Sequence, residues 1–215
     1  MDTEREKRLA AEAAAALVAD GMTVGLGTGS TVAHLLPALA ARSLSLRCVA
    51  TSPATERAAR SLGLAIEPFE GIDRIEIAID GADQIAPDGW LVKGGGGAHT
   101  REKVVAATAD RFIVIADSSK LVGALGPPVP VELLAYGLAA TLRALAPVRL
   151  RDGPASPDGG VIADYLGPLG DPAVVAAQLS ATPGVVEHGL FPAAMVDEIL
   201  VGRGDRVERL DVRAG

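Results

Sequence analysis

Short apolar runs alternate with stretches of helical periodicity through the first 120 residues. Thr3 with Glu6 reads as a capping box that opens a first helix reaching about Asp20. "MTVGLG" follows as a buried strand, and "VAHLLPALAA" as a helix interrupted by Pro37. "LRCVATS" predicts a second strand. "PATERAARSLG" predicts a helix with proline near its start and Gly63 as its stop. "LAIEPF" and "IEIAID" read as further strands, 98–109 as a helix, and "FIVIAD" as a strand. Strands alternating with helices predict an α/β fold: a mostly parallel, Rossmann-like sheet covered by helices on both faces.

From "GPPVPVEL" the rhythm changes. Strand "VPVEL", helix "AYGLAATLRALA", strands "VRLR" and "VIADYL", helix "DPAVVAAQLSA" and strand "VVEHGL" follow in order. That β-α-β-β-α-β order predicts a second, smaller ferredoxin-like α+β domain. The expected division is 1–126 with 197–215 for the Rossmann-like domain and 127–196 for the small one. The prolines of "PPVP" and "FPAA" mark the crossings. "DEILVG" and "RVERLDV" return to the first domain.

Composition narrows the function classes. Hydrophobic residues make up 49% of the 215, and aromatics only 3%, so the core is Ala, Leu, Val and Ile. A net charge of −7 argues against a nucleic-acid surface, which needs a basic face, but leaves room for a local cationic pocket. The single cysteine, Cys48, excludes a disulfide framework and a cysteine zinc site. No apolar run approaches the ~20 residues that span a bilayer, and the charged, alanine-rich start does not read as a signal peptide. The expectation is a soluble cytoplasmic protein with no membrane or nucleic-acid partner. Only four of the 20 basic residues are lysine (Lys7, Lys93, Lys103, Lys120), and three of these lie in the signatures below.

Four stretches carry candidate chemistry. "GLGTGST" lies between strand and helix, where backbone amides bind phosphate and Thr28, Ser30 and Thr31 add hydroxyls. It lacks the Gly-Lys-Ser/Thr of a P-loop and the third glycine of a dinucleotide fingerprint. The blander reading is a tight turn with a hydroxyl cap, and the two weigh equally. "DGAD" places Asp80 and Asp83 after an apolar strand, beyond whose carboxyl end open parallel sheets bind ligands; alone it reads better as an exposed turn. "LVKGGGGAHTREK" sets four glycines between Lys93 and Glu102. Ordering so much bare backbone is costly and calls for a reason. "DSSK" ends another strand, where Lys120 could meet an anion or a serine could cap a helix. His34, His99 and His188 show no metal-ligand spacing. Each motif is weak alone. Four at carboxyl ends of strands in one sheet suit a small, polyhydroxylated phosphate ester.

In this order and spacing, "GLGTGST", "DGAD", "KGGGGA..REK" and "IADSSK" resemble ribose-5-phosphate isomerase, type A. The likeness runs through residues 5–131, and more loosely through "PGVVEHGLF" and "ILVG". It implies interconversion of ribose 5-phosphate and ribulose 5-phosphate, in the non-oxidative branch of the pentose phosphate pathway, with no metal or other cofactor. It also implies the two-domain architecture and a homodimer or homotetramer, the small domain serving assembly. Carried over by position, Thr28, Gly29, Ser30 and Thr31 line the substrate site, with Gly81 and Ala82 beside it. Asp80, Asp83 and Lys93 meet the sugar's reacting end. Gly94, Gly95 and Gly96 lend backbone, Glu102 carries the proton, and Lys120 holds substrate. The chain departs from the family at Gln84, at His99–Thr100, and at "SPDGGVIADYL" in the small domain.

Aldose–ketose isomerisation answers the glycine question. A negative charge grows on the oxygens of an enediolate, and fixed donors stabilise it without reorganising. Lys93 and bare amides supply such donors, and side chains there would keep substrate away. Three alternatives stay open at this level: a non-catalytic sugar-phosphate sensor, an amino-sugar-phosphate deaminase with His99 as base, and a coenzyme A transferase with a glutamate nucleophile.

Overall fold

The computed structural model describes residues 2–211; the outermost parts of the expected first domain, 1 and 212–215, lie outside the described residues. In chain order the elements are α1 (Thr3–Ala15), β1 (Thr23–Leu26), α2 (Ser30–Ala40), β2 (Arg47–Ala50), α3 (Pro53–Ser61), β3 (Ile77–Gly81), β4 (Gln84–Ile85), β5 (Leu91–Val92), α4 (His99–Thr108) and β6 (Phe112–Asp117). Then come β7 (Val129–Leu133), α5 (Leu138–Leu145), β8 (Val148–Leu150), β9 (Val161–Tyr165), α6 (Pro172–Ala181), β10 (Val185–His188), β11 (Leu190–Phe191), β12 (Glu198–Arg203) and β13 (Arg206–Asp211).

The chain forms two compact units. The first comprises Met1–Ala82, Arg101–Lys120 and Ala194–Gly215. Its six-stranded sheet runs β13-β12-β6-β3-β1-β2, parallel except for the β12–β13 hairpin. Val24 and Leu26 of β1 point to one face, where Ala10, Ala14, Leu35 and Leu39 of α1 and α2 bury them. Gly25, between them, points to the opposite face, as strand alternation requires. A Cβ on Gly25 would lie 2.5 Å from Val105 of α4, so that helix packs directly on the bare backbone. Helices therefore cover both faces, as the α/β rhythm predicted.

The second unit comprises Asp83–Thr100 and Leu121–Ala193. Its four-stranded sheet runs β10-β7-β9-β8, every pair antiparallel. This is the 4-1-3-2 arrangement of the expected ferredoxin-like unit. Leu145 of α5 and Val175 and Leu179 of α6 bury Val129, Val131, Leu133 and Ala163. A three-stranded ladder, β11-β5-β4, also belongs to this unit. That ladder explains why the division differs from boundaries at 126 and 197. Leu91 and Val92 pair with Phe191 and Leu190, which draws 83–100 out of the first unit's contiguous run.

Three local expectations are corrected. The cap of α1 is Asp2, whose carboxylate accepts the Arg5 amide at 3.1 Å, and not Thr3. Glu6 is consequently not a capping-box partner. The helix ends at Ala15 rather than Asp20: the Leu17 and Val18 amides tighten onto the carbonyls of Ala14 and Ala15, and Arg42 donates to the carbonyls of Ala15 and Val18 there. "LAIEPF" makes one parallel bridge, Cys48 to Ile66, and no strand; the chain turns into a single 3-10 turn at Phe69–Gly71 before the next ladder bond can form.

Candidate active site

The loop after β1 and the end of β3 are built together. Asp80 is 3% exposed, and its Oδ1 accepts the amides of Thr28 (3.0 Å) and Gly81 (2.7 Å). Gly27 has to be glycine for this. A Cβ there would sit 1.9 Å from the Asp80 carboxyl carbon. The Thr28 hydroxyl pairs with Thr51 at 2.8 Å, and Thr55 donates to the Gly27 carbonyl at 2.8 Å. Ser52 both caps α3 and donates to Thr55. Thr51, Ser52 and Thr55 were missed in the sequence, although "TSPAT" at a strand's carboxyl end is a legible hydroxyl cluster.

The hydroxyl-cap reading of "GLGTGST" is not what forms. The N-cap of α2 is Gly29, with φ of +122°, and no side chain caps it. The first-turn amides of α2 thus keep the character that attracts anions. Gly29 and Ser30 are exposed beside them, while Thr31 is buried. An open cavity of about 490 Å³ between α2 and α3 is bordered by Thr28, Gly29, Ser30 and Thr55. Gly81 and Ala82 follow Asp80, both half-buried.

At the end of β6 the serines of "DSSK" are donors to carboxylates rather than caps. Ser118 gives its amide (2.9 Å) and hydroxyl (2.6 Å) to Glu6, and Ser119 donates to Asp117. Glu6, 1% exposed, also accepts the Gly204 amide at 2.8 Å. The Gly204 amide foremost, then Ser118, holds the Glu6 carboxyl below its ordinary range. Lys120 closes this turn, half-buried. Elsewhere in this unit, burial raises the Cys48 thiol to about 11, so it stays protonated.

The second unit holds the glycine run. Lys93 is 2% exposed, its amide donates to the Gly189 carbonyl at 2.8 Å, and its ammonium lies 5.3 Å from the centre of the Phe191 ring. Asp83, exposed, accepts the Gly95 amide at 2.7 Å. Gly94 has φ of +99°, and a Cβ on it would meet the His99 ring at 2.7 Å. Gly95 and Gly96 are exposed. The backbone turns back on itself here, with the Gly97 amide on the Gly94 carbonyl at 3.0 Å.

The departures noted in the sequence find physical reasons in this unit. The Gln84 side chain donates to the Gly126 carbonyl (2.8 Å) and accepts its amide (2.9 Å), which a glutamate could not do. His99 is fully buried and pairs with the Glu187 carbonyl at 3.3 Å. Thr100 and Ser156 each donate to Glu132, a buried carboxylate, at 2.5 Å. Glu132 thus ties Thr100 to the small-domain loop that carries Ser156.

Glu102 lies in the first turn of α4, three residues into the helix, and is 4% exposed. The helix dipole favours an ionised carboxylate there. Among the described residues no three His, Cys, Asp or Glu side chains are grouped as metal ligands, and no helix is long and apolar enough to cross a membrane.

Known proteins resemble this chain along nearly its whole length. The family model described as ribose 5-phosphate isomerase A (phosphoriboisomerase A) matches residues 47–206. A Halobacterium salinarum protein named ribose-5-phosphate isomerase A is 48% identical over 221 residues, covering 96% of each chain. The solved ribose 5-phosphate isomerase A of Methanocaldococcus jannaschii superposes with a TM-score of 0.90 at 35% identity, covering 95% of this chain and 97% of that one. A D-ribose-5-phosphate isomerase solved with phospho-erythronic acid gives 0.92 at 33% identity, covering 98% and 100%. Identity at this level over nearly full length carries more than a common fold, and the chain belongs to the ribose 5-phosphate isomerase A family.

Proposed function

We propose that this protein is an aldose–ketose isomerase that interconverts D-ribose 5-phosphate and D-ribulose 5-phosphate through an enediolate. The observation that carries the reading is the pair of buried charges bracketing the glycine run: Lys93 at 2% and Glu102 at 4% exposure. Family membership makes the sensor, deaminase and transferase readings the weaker ones.

In this mechanism the uncapped first turn of α2, with Thr28, Gly29, Ser30 and Thr31, binds the phosphate. Asp80 assists opening of the furanose ring by taking the proton of the C1 hydroxyl and giving it to the ring oxygen as the bond from C1 to that oxygen breaks. Glu102 removes the C2 proton and delivers it to C1, while the proton of the C2 hydroxyl passes to the oxygen on C1. Lys93 and the amides of Gly94 and Gly96 donate to the oxygens on which charge grows, while the Gly95 amide holds Asp83, which orients the reacting hydroxyls. Gly81, Ala82 and Lys120 complete the substrate contacts. Donation by an ammonium and by amides fills the place of a Lewis acid, so no metal is required.

We further propose a cytoplasmic homodimer or homotetramer. The second unit exposes Leu134 and Val186 beside a 91%-exposed Tyr136, apolar surface that suits contact with another copy. Sedimentation tests this, and a monomer at micromolar concentration would exclude it.

The test of the activity is turnover of ribose 5-phosphate in deuterium oxide, with and without exhaustive chelation. The expected result is ribulose 5-phosphate with solvent deuterium entering at the exchanging carbon, unaffected by chelator. No turnover would refute the isomerase. Activity lost to chelator and restored by a divalent ion would refute the metal-free mechanism.

A further inference from the structure

Consecutive glycines have almost no conformational preference of their own, so their direction has to be imposed from outside. In the second unit two carbonyls of the glycine run are held by one side chain. Arg151, just past β8, donates from Nη1 to the carbonyls of Gly94 (2.9 Å) and Gly95 (3.1 Å). Its Nε and Nη2 fork onto Oδ1 of Asp164 at 2.9 and 2.7 Å. Asp164 sits on β9 and is only 5% exposed. A planar guanidinium held by such a fork presents its remaining donors in a fixed direction.

The consequence follows from peptide geometry. In a trans peptide the carbonyl and the next residue's N–H lie in one plane and point opposite ways. The Gly94 carbonyl faces Arg151, so the Gly95 amide faces away, and it is found on Asp83 at 2.7 Å. The Gly95 carbonyl also faces Arg151, so the Gly96 amide is sent to the side away from the guanidinium. The positive charge on the carbonyl side further polarises these peptides, strengthening the amides as donors.

We propose that Arg151, locked by Asp164, is a positioning residue for the isomerisation: by holding the carbonyls of Gly94 and Gly95 it keeps the Gly95 amide on Asp83 and aims the Gly96 amide at an oxygen of the developing enediolate. This rests on the isomerase reading above. Arg151 touches no reacting atom. It acts through the backbone, on donors whose value lies in being aimed before charge develops.

The experiment compares full-length wild type with Arg151→Met, Arg151→Lys and Asp164→Asn. It measures kcat, KM, thermal midpoint, and inhibition by phospho-erythronic acid and by inorganic phosphate. The analogue's carboxylate offers oxygens where the enediolate's would be, and phosphate reports only the other end of the substrate. Arg151→Met is expected to lower kcat about tenfold or more, a fraction of the 10²–10³ that loss of an oxyanion donor costs. KM and phosphate inhibition should stay within about threefold, while the analogue weakens in parallel with kcat. Arg151→Lys should recover part of the loss, and Asp164→Asn should reproduce it in a protein that keeps the guanidinium. Should Arg151→Met fail to fold, Asp164→Asn and Arg151→Lys decide. Unchanged kcat and analogue binding would overturn the proposal, and so would equal losses of phosphate and analogue binding. Wild type that fails to turn over ribose 5-phosphate would sink the isomerase reading instead. Hydrogen exchange of the amides at 95–97, expected faster in Arg151→Met, would then judge the grip itself, and unchanged exchange would refute it.

Discussion

Asp80 holds Thr28 by its backbone: the carboxylate at the end of β3 accepts the Thr28 amide at 3.0 Å, in a space that exists only because residue 27 has no side chain. The proposed ring-opening acid–base group and the proposed phosphate loop are thus mechanically one piece. Gly27→Ala should break both at once. Overpacking of this kind costs roughly 1–3 kcal/mol, and kcat/KM should fall with it. Denaturant unfolding and steady-state kinetics check this. A variant with wild-type stability and kcat/KM would show that the Asp80–Thr28 bond is dispensable.

The division of labour between the two carboxylates predicts a directional effect. Asp80→Asn should slow turnover of cyclic ribose 5-phosphate more than turnover of the acyclic ketose, because only the aldose needs ring opening. Single-turnover initial rates in both directions measure this. Equal losses would assign Asp80 a different role.

At the N-terminus of α2, phosphate contacts are expected to be alike in ground and transition states, so their loss raises KM more than it lowers kcat. Ser30→Ala, at an exposed hydroxyl, isolates this effect. Thr31→Ala should show it as well, with some loss of stability because Thr31 is buried. An unchanged KM in both would move the phosphate elsewhere.

Glu102→Gln keeps the shape of the side chain and removes its basicity. General base catalysis contributes ~10²–10⁴-fold, and the whole loss should appear in kcat, with binding of ribose 5-phosphate and folding preserved. Exchange of the C2 proton with solvent deuterium should stop. Retention of more than about a tenth of kcat, a barrier change under ~1.4 kcal/mol, would mean that another residue is the base.

Glu6 predicts a pH dependence of stability. Three donors hold its folded pKa below the ordinary carboxyl value. For a depressed carboxyl, the stabilisation is fully present above the unfolded pKa of about 4.3 and is lost as pH falls through the lower folded value. Glu6→Gln should therefore cost roughly 1–3 kcal/mol at neutral pH, as a buried network loses an acceptor, and the difference from wild type should shrink toward acid. Denaturant midpoints from pH 7 to pH 3 test the sign. A difference that grows toward acid would exclude a stabilising Glu6 carboxylate.

Much of the fold was legible because its signals are local. The parallel-sheet strands β1, β2, β3 and β6, and α3, α4 and α6, follow from apolar periodicity, prolines and glycine stops within a few residues of each element. The β-α-β-β-α-β order of the second unit was legible for the same reason. The glycine run announced itself through composition, and the spacing of four motifs carried the family. What the sequence could not resolve were choices between equivalent local partners. Asp2 and Thr3 are adjacent cap candidates, and only the entering backbone selects Asp2. "LAIEPF" has strand composition, but Cys48 offers it a single bridging position.

The sequence by itself determined which residue types are the candidates for the chemistry: a lysine, a glutamate, two aspartates and a bare backbone between strand ends. Tertiary structure alone decided what holds them. Ser118 and Gly204 meet on Glu6 across 112 and 198 positions of chain, and Arg151 reaches Gly94 across 57. Periodicity and propensity act over a few residues, whereas a buried hydrogen bond selects its partner by the topology that brings distant strands together. No count along the chain distinguishes Arg151 from the other arginines; the direction of two carbonyls does.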